Sequence, residues 1–115
     1  MMTIEQYLLG KVAEEAAEVI VRANKAARFG LTEVQPGQPH DNRERLRDEL
    51  EDLLVAVQLL QDLRLLPVIC PYWDKHAARD TKIAKVLKYY DYSVQLGMVE
   101  AGLQEALAAR AAEEA

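Results

Sequence analysis

Leu8, Val12, Ala16, Val19, Ala23 and Ala26 recur every three or four positions, the period of a helix with one buried stripe. Thr3 suits the N-cap of such a helix, with Gln6 three residues on as its reciprocal partner, and Gly30 suits its end. The spacing predicts a first helix over 3–29. Segment 30–41 carries two prolines and two glycines and reads as a loop. A second stripe (Leu46, Leu50, Leu53, Leu54, Val57 and Leu60) predicts a helix from Asn42, taken as its N-cap, to Arg64. Pro67 and Pro71 bracket a break. A third helix over 72–96 should turn Ile83, Val86, Leu87, Tyr90 and Val94 inward and stop at Gly97, and an Ala- and Glu-rich fourth should cover 98–113.

No alternating strand pattern, internal repeat or low-complexity linker occurs. The expectation is an all-α fold: a small bundle of three to four helices in a single domain, 1–115. Stripes this thin in so short a chain point to completion by oligomerisation, as a homodimer or homotetramer.

Composition narrows the partners. Half of the residues are apolar and 29% are charged, with net charge −5 and pI near 5.0. No broad basic surface for a nucleic acid is expected, and no nucleic-acid partner. An acidic chain still binds a nucleotide when a metal ion supplies the positive charge. The single cysteine, Cys70, excludes an intrachain disulfide, sits in an apolar run as a packed thiol, and fits a reducing compartment. Acids interrupt the first apolar stretch, so it does not read as a signal peptide. Nothing approaches the ~20 apolar residues of a membrane span. The expectation is a soluble, cytoplasmic protein with no membrane partner.

The informative residues are acids that border the stripes. On a helical wheel with Leu8 at zero, Glu15 lies at about 340°, Glu18 at about 280° and Glu14 at about 240°. With Leu46 at zero, Glu49 lies at about 300° and Asp52 at about 240°, while Glu51, at about 140°, points away. Each helix thus has an inner and an outer acid, three residues apart, on the same edge of its apolar face. Antiparallel packing would bring Glu15, Glu18, Glu49 and Asp52 together. Four clustered carboxylates repel one another, and a hard divalent cation such as Mg²⁺ or Mn²⁺ removes that conflict. The competing reading is that they are solvated helix acids, common in Ala/Glu-rich helices.

The third helix adds cations. Lys82, Lys85, Tyr89 and Tyr92 share one side, with Lys88 just beyond, as a phosphate-binding face or as an ordinary solvated one. His40 and His76 lack ligand spacing. No ExxH, P-loop, Gly-rich dinucleotide motif or GxSxG is present.

KVAEEAAEVI followed by RDELEDLLVAVQLL resembles the MazG-like nucleoside triphosphate pyrophosphohydrolases, a branch of the all-α NTP pyrophosphatases. The family motif EExxE…ExxD reads here as Glu14-Glu15-x-x-Glu18 and Glu49-x-x-Asp52, and AKVLKYYDYS resembles the family's lysine-bearing segment. The loop between the acid pairs is long for the family and suggests a lid or specificity element. Its compact form is most similar to phage-type members, some of them dGTP-directed.

The resemblance implies Mg²⁺-dependent hydrolysis of a (d)NTP, with guanine favoured, to the monophosphate and pyrophosphate. Glu15, Glu18, Glu49 and Asp52 would hold the metal, and one carboxylate would orient or deprotonate the attacking water. Lys85 and Lys88 would contact phosphates, and Asn24 the base or ribose. The alternatives are a non-catalytic helical interaction module and a related dUTPase-like or phosphoribosyl-ATP pyrophosphohydrolase.

Overall fold

A computed structural model of the chain describes residues 1–69 and 77–114. Its described residues contain four helices and no strand: α1 (Ile4–Phe29), α2 (Asn42–Asp62), α3 (Ala77–Gln95) and α4 (Leu103–Glu114). The fold is all-α, as the periodicity predicts. Contacts divide the chain into two compact units, Met1–Val68 and Ile69–Ala115, each described by itself. Cys70, Pro71, His76 and the expected start of the third helix at 72 lie outside the described residues.

In the first unit α1 and α2 form an antiparallel hairpin. α1 begins with the expected capping box: the Gln6 amide donates to Thr3 Oγ1 at 3.1 Å, and the Thr3 amide to Gln6 Oε1 at 3.0 Å. The second N-cap is Asp41, not Asn42. Its carboxylate accepts from the Glu44 amide at 3.0 Å and from Arg43 Nη2 at 2.7 Å, while Glu44 Oε1 accepts from the Asp41 amide. Asn42 is instead buried, and its side chain donates to the carbonyl of Gly30 at 2.8 Å.

These contacts tie the loop down. The Asn42 and Arg43 amides donate to the carbonyls of Glu33 and Leu31, and Arg45 donates to the Gln35 side chain. Loop carbonyls thereby satisfy α2's first orphan amides. The Arg43 guanidinium and the Glu44 amide hold the Asp41 carboxyl below its ordinary value of 3.8. A depressed acid contributes stability that is fully present above its unfolded pKa and is lost as pH falls through the folded one. Asp41→Ala should therefore lower Tm by about 5 °C at neutral pH. In circular-dichroism melts the gap from the parent should close as pH falls below 3.8. An unchanged Tm at neutral pH would contradict the capping role.

Between the helices runs a seam with alternating three- and four-residue spacing. Leu8, Val12, Glu15, Val19, Arg22 and Ala26 face Leu46, Glu49, Leu53, Ala56 and Leu60, all buried or half-buried. This corrects the expected stripes. Leu50 and Leu54 are 42% and 62% exposed, and Ala23 is exposed, while Ala56 takes a buried place. Among the described residues the buried apolar side chains are Leu8, Ala26, Ala56 and Leu60 alone, and Ile4, Tyr7, Ile20, Leu54 and Val55 are exposed.

α2 ends two residues earlier than expected, with Arg64 in the left-handed region (φ 59°). The Leu65 amide bonds to the Leu60 carbonyl and the Arg64 amide to that of Gln61, a Schellman turn usually closed by glycine. In the second unit Gly97 closes α3 with the same pair of bonds, as expected. Ile83 and Val86 are exposed, whereas Leu87, Tyr90 and Val94 are half-buried. α4 starts at Leu103, five residues later than expected. The Tyr90 hydroxyl accepts from the Leu103 amide at 3.1 Å and donates to the Glu100 carbonyl at 2.7 Å, so 98–102 forms a turn pinned to α3. No helix among the described residues is long and apolar enough to cross a membrane.

Candidate metal centre

The hairpin register brings three carboxylates together. Glu15 of α1 and Glu49 and Asp52 of α2 each offer an oxygen, and these oxygens lie within 4.8 Å of one another. Glu15 and Glu49 occupy seam positions and are half-buried, whereas Asp52 is exposed at the rim. Glu15 and Asp52 also line an open groove with Lys11, Val55, Ala56 and Leu59.

Electrostatics mark Glu15 as the stressed member. Desolvation in the seam raises its carboxyl above the ordinary carboxylate value, the charges of Asp52, Glu14 and Glu49 push the same way, and Lys11 opposes them. Lys11 is drawn off by Glu14, at 3.1 Å. Among the described residues no cation is in an ion pair with Glu15, Glu49 or Asp52, and Lys11 acts on Glu15 only at longer range.

The donor set fits a hard divalent cation. In an octahedral Mg²⁺ shell neighbouring oxygens are about 3 Å apart and opposite ones about 4.2 Å, so the three carboxylates, whose oxygens lie within 4.8 Å of one another, must draw together to share one ion. Three ligands would leave coordination positions for water and substrate oxygens.

Of the residues predicted as ligands, Glu15, Glu49 and Asp52 meet. Glu18 is exposed on the next turn of α1, outside the group of three. Glu14 and Glu51 are exposed, as their wheel positions predict, and Glu51 lies 4.0 Å from Arg47. Asn24 is exposed and lines a shallow depression with Val21, Lys25 and Arg28. Lys85 and Lys88 are exposed on α3 of the second unit. His40 pairs with Glu44 at 3.2 Å, which accounts for it without a metal.

Lys11 and Arg22 escaped the sequence reading. Their signal was position: Lys11 precedes Glu15 by four residues and Arg22 follows it by seven, so all three share one helix face. The long loop, expected as a lid or specificity element, is fastened to the first turn of α2 by the backbone and side-chain bonds of Asn42, Arg43 and Arg45. No family model, curated protein or solved structure matches the chain.

Proposed function

We propose that the chain is a Mg²⁺-dependent nucleoside triphosphate pyrophosphohydrolase that converts a (d)NTP and water to the monophosphate and pyrophosphate. The observation that carries this reading is the convergence of Glu15, Glu49 and Asp52 across the α1–α2 seam, two of them half-buried. A carboxylate placed in an apolar seam is costly unless something compensates it. A divalent cation does so, and it supplies Lewis-acid polarisation of a phosphoryl oxygen when bound.

Glu15, Glu49 and Asp52 hold the ion, and Glu18, on the same edge of α1, supplies the fourth carboxylate. Mn²⁺ substitutes, having the same preference for oxygen donors. One of these carboxylates also orients the attacking water or accepts its proton. Lys85 and Lys88 bind outgoing phosphates, and Asn24 contacts the base or ribose, with guanine preferred. The exposed Ile4, Tyr7, Ile20, Leu54 and Val55 support a homodimer or homotetramer, since association would cover them.

Chromatography of each NTP and dNTP after incubation with Mg²⁺ tests the reading. The expected products are a monophosphate and pyrophosphate, with guanine nucleotides turned over best and no turnover in chelator. Stepwise release of orthophosphate, or full activity after exhaustive chelation, would overturn it.

A further inference from the structure

The acid-bearing edge of the hairpin changes sign toward the loop over 30–41. On α1, Arg22 and Lys25 follow Glu15 and Glu18, each at a spacing of seven; on α2, Arg45 precedes Glu49 by four. On the wheels used above, Arg22 lies at about 320°, beside Glu15, and Arg45 at about 260°, between Glu49 and Asp52. The helices are antiparallel, so both arginines fall on the loop side of the carboxylates. Along the axis they stand about 10 Å from Glu15 and about 6 Å from Glu49 respectively. The register set by Glu15 with Glu49 and Asp52, and by Asn42 with Gly30, places Arg22 level with the turn that starts at Arg45.

Lys11, Arg43 and Arg47 are each in an ion pair, whereas Arg22, Lys25 and Arg45 are in none among the described residues. Glu18 stands four residues before Arg22, the favourable order for a helical pair, yet the two do not pair. One guanidinium nitrogen of Arg22 is buried without a hydrogen-bond partner. Arg45 donates to a neutral acceptor, Gln35 Oε1, at 2.7 Å. A guanidinium left unpaired beside unpaired acids suits an anion that arrives with its own cation, and its planar fork matches a phosphate. The side chain of Arg22 also starts toward the acids, because helical side chains lean to the N-terminal turn.

We infer that Arg22, with Arg45, forms an anion site for the phosphate groups of a metal-bound substrate, so that a polyphosphate lies along the seam from the carboxylates toward the loop. This assignment rests on the proposed metal-dependent chemistry and adds two phosphate contacts to it.

Calorimetric titration of the full chain with magnesium pyrophosphate, and separately with Mg²⁺ alone, tests it. Arg22→Gln and Arg45→Gln should each weaken magnesium pyrophosphate about tenfold or more and leave the affinity for Mg²⁺ alone unchanged. Arg22→Lys, which keeps the charge and most of the stem, should recover part of the affinity. Gln35→Ala, which frees Arg45 without removing charge, should bind as the parent does. Unchanged pyrophosphate binding in the two glutamine variants would overturn the site. A parallel loss of Mg²⁺ affinity would also overturn it, by making the arginines supports for the acids. A loss in Gln35→Ala equal to that in Arg45→Gln would overturn the role of Arg45. Arg22-dependent pyrophosphate binding by a chain that hydrolyses no triphosphate would sink the enzyme reading and leave the anion site standing.

Discussion

Glu49→Gln is expected to lower kcat/KM for a triphosphate by well over about 100-fold, since removing even an outer partner of a metal ligand costs 10- to 100-fold. The change keeps shape and removes one ligand charge from the group formed with Glu15 and Asp52. Helix content should not change, because glutamine suits a helix as well as glutamate does. Glu51→Gln provides the comparison. It removes the same charge two residues away, from a side chain that is 66% exposed and 4.0 Å from Arg47. A solvated pair of that kind contributes little, so this variant should match the parent in steady-state assays. Equal kcat/KM for the two variants would remove the catalytic centre from α2. The difference between them isolates the face of the helix from the charge itself.

Which features were legible in the sequence follows from how local each one is. The Thr3–Gln6 box and the Gly97 stop need only a few neighbouring residues, and both are present. The inner and outer acids could be placed because their wheel positions relative to the apolar residues survive small rotations of the helix. The N-cap of α2 was misplaced although its signal is there: Asp41 stands three residues before Glu44, the capping-box spacing. Asn42 is a good cap residue too, and only the packing of its amide on Gly30 decides between them.

The seam itself was harder to read. A count of apolar residues favours Leu50 and Leu54, yet the faces that meet carry Glu49 and Ala56, and the leucines stay outside. Small and acidic residues hold seam positions here, so hydrophobicity alone rotates the predicted face. Arg64 gave no signal at all, since its left-handed backbone is imposed by the turn that follows α2. The start of α4 depends on the Tyr90 hydroxyl, thirteen residues before Leu103. That contact is tertiary, and no local pattern encodes it.

Glu15→Gln should make the metal-free protein more stable and the metal-loaded protein less so than the parent. Glu15 is the carboxyl whose pKa is raised, first by desolvation and then by Asp52, Glu14 and Glu49. For an acid raised in the folded state, folding favours the protonated form. The penalty is absent below the unfolded pKa, develops as pH rises from the ordinary value of 4.5 toward the folded one, and is complete above it. A permanently neutral amide escapes that penalty and can donate a hydrogen bond to a neighbouring carboxylate. In chelator at neutral pH the variant should therefore melt a few degrees above the parent, and the gap should vanish as pH falls below 4.5. Saturating Mg²⁺ should reverse the order. The parent should gain about 10 °C from an ion that binds the folded state, the variant should gain little, and its turnover should collapse. Thermal melts with and without Mg²⁺ across this pH range read all of these outcomes. A variant that melts below the parent in chelator at neutral pH would mean that no charge conflict exists at Glu15. A variant that keeps the full Mg²⁺ shift would mean that the ion binds elsewhere.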